Sequence, residues 1–356
     1  MNISIQPLTP EQTKPVVTSS AFGKVFSNRM YSQKWTVDKG WHDAEIGPYK
    51  PIVLDPSSAV FHYGQEIFEG TKAYRRADGH INLFRPWENA ARFNRSAKRM
   101  AMQGVDPESH VEAIAELVRL EHEWVPAVDG SSLYIRPTLI ATEAALGVHA
   151  SGSYLHFIIV GPAGAYFASG FNPVGVLIAD EYVRAVRGGT GAAKTGGNYA
   201  ASMIAGDLAA AKGYQQVLWL DGVEQRYVEE VGAMNVCFVY GGKTIKTPLL
   251  SGSILEGITR DSLLRLAPDL GYPITEERID VHDILRDIAS GAITEAFGVG
   301  TAAVIAPIGR FGFRDKEYVV GGNAAGPVAK HLYKSLTDIQ YGRVADPYGW
   351  TMKIEV

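Results

Sequence analysis

The sequence predicts an α/β protein of two domains built on mixed sheets of the α+β kind, and three observations carry that reading. Its 356 residues exceed the roughly 100–200 that one domain usually takes. Strand and helix patterns follow one another only irregularly, whereas a doubly wound parallel sheet needs strict alternation. The run from Gly161 to Pro173, rich in Gly, Ala, Phe and Pro, reads as a connection between two cores. The expected organisation is an N-terminal arm (1–40), a smaller α/β domain (41–165), an interdomain loop (166–178) and a larger C-terminal domain (179–356).

The polar first 40 residues, with scattered Pro, Ser and Thr, read as irregular. Trp41 to Val53 alternates enough for a strand and stops at Asp55-Pro56. Gly70 to Arg75 and His80 to Phe84 flank Asp78-Gly79, a hairpin turn signal. Pro86 opens a helix to Met100 with Trp87, Ala90, Ala91, Phe93, Asn94 and Ala97 at helical spacing. Pro107 opens another, whose buried stripe is Val111, Ile114, Ala115, Leu117, Val118 and Trp124. Strands Ser132 to Leu139 and Tyr154 to Val160 complete the first unit. Beyond the connection come a strand Val174 to Ala179, an alanine-rich helix Asn198 to Ala211, and strands Gln216 to Leu220 and Met234 to Tyr240. The remainder reads as helices Gly257 to Leu270, Val281 to Ala289 and Ala325 to Gln340, with strands near Ile274 to Arg278, Ile293 to Phe297 and Ala302 to Ile308.

Composition narrows the function. A net charge of −4 without a polybasic run gives no electrostatic reason to expect nucleic acid or an anionic membrane. The single cysteine, Cys237, sits in an apolar run, so a buried inert thiol and a reducing compartment are expected, with the cytoplasm as location. Met1 to Pro7 has neither the basic start nor the apolar centre of a signal peptide, and no apolar stretch reaches the ~20 residues that span a bilayer. No two of the nine histidines stand three or four apart, so no helical metal pair is expected.

Gly188-Gly189-Thr190-Gly191-Ala192-Ala193-Lys194-Thr195-Gly196-Gly197-Asn198-Tyr199 places one amine in a loop almost bare of side chains. Taken alone, it is equally a linker with a solvated lysine. It approximates a P-loop, the basis of a nucleotide-binding alternative, but Ala193 replaces the second glycine. Gly298 to Ala303 fits G-x-G-x-x-A, yet Val304 to Pro307 reads as extended where a Rossmann helix would begin. What remains is the lysine, the acidic pair Glu229-Glu230, and two segments rich in backbone N–H groups, Gly257 to Arg260 at a helix start and Gly298 to Thr301. An amine, an acid and phosphate donors are the parts a pyridoxal phosphate enzyme needs.

Six segments then make the match specific: Phe68 to Tyr74, Leu83 to Trp87, Tyr134-Ile135-Arg136-Pro137, Lys194 to Tyr199, Glu230 to Asn235, and Gly300-Thr301-Ala302. In this order they resemble the branched-chain amino-acid aminotransferases, members of the two-domain class IV fold of pyridoxal phosphate enzymes. The resemblance implies that Lys194 forms the Schiff base with pyridoxal 5′-phosphate and moves the proton, and that Glu230 pairs with the pyridine nitrogen. It further implies that Tyr199 bonds the phenolic oxygen, and that Arg92, Ile258, Thr259 and Thr301 hold the phosphate.

On the substrate side it implies walls from Tyr63, Phe68 and Tyr166, with Tyr134, Ala302 and Ala303 near the α-carboxylate and Arg136 for the side-chain carboxylate of glutamate. Leu146 and Val148 match a loop that reaches the other subunit's pocket, so a homodimer or higher homo-oligomer is implied. The expected reaction is reversible amino transfer between leucine, isoleucine or valine and 2-oxoglutarate, with ping-pong kinetics. A D-amino-acid aminotransferase or aminodeoxychorismate lyase on the same fold is the alternative. The Cys-x-x-Cys pair of some members is replaced here by Ala303 and Ala306.

Overall fold

A computed structural model describes residues 2–18, 22–164 and 171–356. The chain divides into two compact units. The first comprises Met1–Tyr166, Ala193–Gly196 and Asp338–Val356, and the second Phe167–Ala192 and Gly197–Thr337.

Among the described residues the first unit is built on a nine-stranded sheet. Its path runs Ser4–Ile5, Gly40–Pro48, Arg29–Thr36, Ser153–Ala163, Ser132–Ala141, Thr71–Arg75, Ile81–Phe84 and Thr351–Ile354, and Glu66–Phe68 also pairs with Ser132–Ala141. The expected hairpin forms, with Ala73 opposite Leu83. Helix Pro107–Leu120 buries Val111, Ile114, Leu117 and Val118 in one cluster with Tyr31, Ile46, Leu133 and Ile158, so its apolar stripe does what its spacing predicts.

Two readings of this half are corrected. The arm is not irregular, since Arg29–Thr36 is an interior strand between Gly40–Pro48 and Ser153–Ala163. Its alternation is hidden because a polar side chain is buried in it: Gln33 accepts a hydrogen bond from the Tyr31 hydroxyl at 2.9 Å. On helix Pro86–Arg99 the buried face is Asn89, Ala90, Arg92, Phe93, Ser96 and Ala97, while Trp87 and Ala91 are exposed.

The second unit carries the other nine-stranded sheet, in the order Val228–Val231, Gln216–Leu220, Val174–Ile178, Val304–Phe313, Ile293–Gly300, Asn235–Tyr240, Thr244–Pro248 and Ile274–Glu277. Lys316–Val319 pairs with Val304–Phe313. Val174–Ile178 runs parallel to both its neighbours, whereas Asn235–Tyr240, Ile293–Gly300 and Val304–Phe313 are joined by antiparallel pairings, so the sheet is mixed as expected. Within the expected interdomain loop, residues 166–170 lie outside the described residues and Val174–Ile178 is a core strand.

The alanine-rich helix is two helices, Gly196–Ala200 and Met203–Ala211. Ser202 accounts for the break: its hydroxyl donates to the Tyr199 carbonyl at 2.6 Å, a local bond that competes with the helical ladder. Cys237 is buried, and burial pushes its thiol up to about 12, which leaves it inert. No helix among the described residues is long and apolar enough to cross a membrane.

Candidate active site

In the first unit the site is laid out by strand register. Glu66–Phe68 pairs antiparallel with Ser132–Ala141, Phe68 facing Thr138 and Glu66 facing Ile140. Because strand side chains alternate, Tyr134 and Arg136 share a face. The Arg136 guanidinium lies over the Phe68 ring at 4.7 Å and over the Tyr134 ring at 5.3 Å, and its Nη2 donates to the Tyr134 hydroxyl at 3.1 Å. Gly70 makes room for this phenol, since a Cβ there would collide with it. Phe22 closes edge-on against Tyr134, centroids 4.7 Å apart. Motif reading missed Phe22, which sits in a segment that reads as an arm.

Lys194 is fixed to this sheet. Its N–H donates to Ser96 Oγ at 2.9 Å, its carbonyl accepts the Phe68 N–H at 3.0 Å, and its amine sits 5.1 Å from the Phe68 ring centre. The next two residues are held by Glu66, whose Oε1 accepts the Gly196 N–H and, at 3.4 Å, the Thr195 hydroxyl. These bonds put Ala193–Gly196 in the first unit. Arg92, which by composition alone would pass for a solvated helix arginine, is 4% exposed and forms a two-point bond with Glu69: Nε to Oε1 at 2.7 Å and Nη2 to Oε2 at 2.9 Å. Tyr63 ends helix Ala59–Tyr63 and accepts the Gly147 N–H at 2.7 Å. It is thereby tied to the loop carrying Leu146 and Val148, 70% and 90% exposed. Tyr166 lies outside the described residues.

In the second unit the two adjacent carboxylates diverge. Glu229 Oε1 accepts the Ser251 hydroxyl at 3.1 Å and that of Ser253. Glu230 Oε1 accepts the Leu255 N–H at 2.7 Å, while its Oε2 lies 3.1 Å from Arg184 Nε, an ion-pair contact not aligned as a hydrogen bond. Arg184, which interrupts an apolar pattern in the sequence, is buried and donates to the carbonyls of Gly191 (3.2 Å) and Ser253. The structure thus adds Arg184 to the residues that shape the site.

The Glu230 to Asn235 motif grips Leu255 from both ends, because Asn235 Nδ2 donates to the Leu255 carbonyl at 3.0 Å. That grip sets the start of helix Ile258–Asp269, whose N-cap Gly257 has no side-chain cap. A Cβ at Gly257 would strike the Asn235 amide, which explains the glycine. Ile258 and Thr259 are buried in the first turn, whose N–H groups and dipole suit an anion. Met234 packs against Gly298 and Gly300, so these glycines are a close-packing requirement on a strand and not a dinucleotide turn. Thr301, Ala302 and Ala303 form the half-buried turn that follows, and Tyr199 is half-buried in helix Gly196–Ala200. The glycines before Lys194 likewise have local causes: Gly188 adopts φ +81° and Gly191 packs on the Ser253 backbone.

Each unit holds groups that fit pyridoxal phosphate: the first a half-buried amine on an aromatic ring and a buried arginine held by a glutamate, the second a buried carboxylate locked by an arginine and a helix start without a side-chain cap. Residues 66–311 match the family Amino-transferase class IV. The chain is 50% identical over 342 residues to branched-chain-amino-acid transaminase 1 of Bacillus subtilis, covering 96% of each chain. The crystal structure of a T.th. branched-chain amino acid aminotransferase with pyridoxamine 5′-phosphate superposes with a TM-score of 0.73 at 31% identity, covering 91% of this chain and 98% of that one. The same enzyme complexed with N-(5′-phosphopyridoxyl)-L-glutamate gives 0.72, with the same identity and coverage. By sequence and fold, the chain belongs to the class IV aminotransferases.

Proposed function

We propose that the protein is a branched-chain amino-acid transaminase, exchanging the amino group of leucine, isoleucine or valine with 2-oxoglutarate by way of pyridoxal 5′-phosphate. The observation that carries this reading is the Phe68, Tyr134 and Arg136 cluster: aromatic walls suited to an aliphatic side chain, with one guanidinium folded onto the rings and able to meet a second carboxylate. Similarity to enzymes named for branched-chain substrates supports it.

When bound, pyridoxal phosphate supplies the electron sink that lets the substrate α-hydrogen leave as a proton. Lys194 would carry the cofactor and, as its amine is freed, would move the proton that leaves the substrate α-carbon. Glu230 would pair with the pyridine nitrogen, and Tyr199 would hydrogen-bond the phenolic oxygen. Arg92, the Ile258 and Thr259 amides and the Thr301 hydroxyl hold the phosphate. Tyr134 with the Ala302 and Ala303 amides orients the α-carboxylate, and Arg136 takes the distal carboxylate of glutamate. Discrimination among the three branched chains rests on a methylene or its position, worth only ~1–3 kcal/mol, so all three are substrates. Tyr63 walls the pocket, Leu146 and Val148 reach the pocket of a second copy in a homodimer, and a reducing cytoplasm suits the lone buried cysteine.

The purified protein is expected to be yellow, with a visible band that borohydride abolishes and that Lys194→Ala lacks. It should transaminate L-leucine, L-isoleucine and L-valine with 2-oxoglutarate. Activity confined to D-amino acids, or a colourless protein indifferent to added pyridoxal phosphate, would overturn the assignment.

A further inference from the structure

A pocket that accepts leucine in one half-reaction and glutamate in the other has to carry a cation without repelling an aliphatic chain. Arg136 is that cation, and its surroundings are unusual. Its guanidinium is spread over Phe68 and Tyr134, its Nε is buried with no hydrogen-bond partner, and no described carboxylate is in ion-pair contact with it. Lys194 brings its amine over the same Phe68 ring, 5.1 Å from the centre. Glu66 stands two residues before Phe68 on strand Glu66–Phe68, so its side chain emerges on the face Phe68 uses. It is half-buried and bound to Thr195 and Gly196 just after Lys194, and a Cβ at Gly196 would collide with its carboxylate.

We propose that Glu66 is a specificity-determining positioning residue: its fixed negative charge balances Arg136 through space when an aliphatic substrate fills the pocket, and opposes the distal carboxylate when a dicarboxylate enters. The proposal rests on the transaminase reading above and names what sets its substrate balance. Phe68 links the two charges, since Glu66 shares its strand face and the Arg136 guanidinium lies over its ring at 4.7 Å; burial pushes the Glu66 carboxyl up, and the Gly196 N–H, the Thr195 hydroxyl and the Arg136 charge pull it back, in that order. The Gly196 N–H and Thr195 hydroxyl pin the carboxylate in place, which lets it act as a fixed charge while Arg136 turns from Tyr134 to a ligand.

The test is Glu66→Gln in the holoenzyme, because the amide oxygen still accepts from Gly196 and Thr195. Removing the charge is expected to lower KM for glutamate and raise KM for leucine, each by about fivefold, with kcat for both within about twofold. Direct binding of two inert acids should move the same way, glutarate tightening and 4-methylpentanoate weakening, read from the cofactor absorbance or by calorimetry. With Arg136→Met already present, Glu66→Gln should no longer weaken 4-methylpentanoate, because there is no cation left to balance, while glutarate still tightens. A merely structural Glu66 would shift both substrates and both acids by a common factor, and that result overturns the proposal, as does a weakening of 4-methylpentanoate by Glu66→Gln that persists without Arg136. A wild-type protein that transaminates neither leucine nor glutamate would instead sink the functional reading. The calorimetric comparison of the two acids would then still decide whether Glu66 and Arg136 are coupled.

Discussion

Arg92 and Glu230, the arginine and the carboxylate proposed to hold the cofactor, are each held by a buried counter-ion from their own unit: Glu69 for the first and Arg184 for the second. A buried pair is costly to break, because the survivor is left charged in a poor solvent, a loss on the order of 3–5 kcal/mol. Arg184→Met is therefore expected to lower the melting temperature and to weaken cofactor retention at least tenfold, measured by dialysis and visible absorbance. Arg184→Lys should recover only part, since an ammonium lacks the fork that reaches Glu230 and two carbonyls together. Gly257→Ala offers a second check: its methyl would displace the Asn235 amide that holds Leu255, so cofactor affinity should fall while the first unit stays folded. The sequence proposes most of the site's chemical groups through short motifs, but it does not show their supports. Arg184 is remote in sequence from Glu230 and belongs to no motif, and Phe22 lies in a stretch with no pattern of its own.

Helix Pro107–Leu120 and strand Ser153–Ala163 bring together two histidines that look scattered in the chain. The His110 and His156 rings stack at 5.1 Å and 16°, against Phe93, with all four ring nitrogens buried and without a hydrogen-bond partner. Burial holds His110 down at about 4 against an ordinary 6.5, with the Glu69 charge opposing, and burial together with His110 holds His156 well below its ordinary value. The unfolded chain then binds more protons than the folded one below pH 6.5, so stability is fully present above 6.5 and is lost as the pH falls toward 4. For His110 alone the loss is on the order of 3 kcal/mol at ~1.4 kcal/mol per pH unit. His110→Phe and His156→Phe should each flatten the acid limb of denaturant-measured stability between pH 6.5 and 4, and an unchanged limb would show that neither titrates with unfolding. Periodicity found the helix and the strand because each buries one face, but not the stack, which depends on where the two cross. The same limit applies to the helix after Tyr199: alanine content predicts it through Ala211, and only the Ser202 hydroxyl breaks it.

The chain closes the first unit by returning to it at its far end. Strand Thr351–Ile354 pairs antiparallel with Ile81–Phe84, Thr351 opposite Phe84 and Ile354 opposite Ile81, long after the hairpin is made. Trp350 stacks on Tyr348 at 4.0 Å, meets Phe84 edge-on at 5.8 Å, and accepts the Arg85 N–H on its carbonyl at 2.7 Å. Just upstream, the Tyr341 hydroxyl donates to the Ser131 carbonyl at 2.6 Å and its ring packs edge-on against Tyr74. No local pattern encodes such a pairing, so a reading by contiguous segments leaves this tail with the preceding sequence. Removing residues 348–356 would strip Ile81–Phe84 of its outer partner and expose Phe84, Ile81 and the strand edge. Losing the buried Trp350 and Ile354 should cost on the order of 5 kcal/mol, a large share of a domain's usual 5–15. The truncated protein is expected to unfold in two steps, the first unit at the lower temperature, and to aggregate as it does. Hydrogen exchange should show protection lost along Thr71–Arg75 and Ile81–Phe84 but kept in Asn235–Tyr240 and Ile293–Gly300. Protection unchanged in the hairpin would mean that the tail rests on a sheet already stable without it.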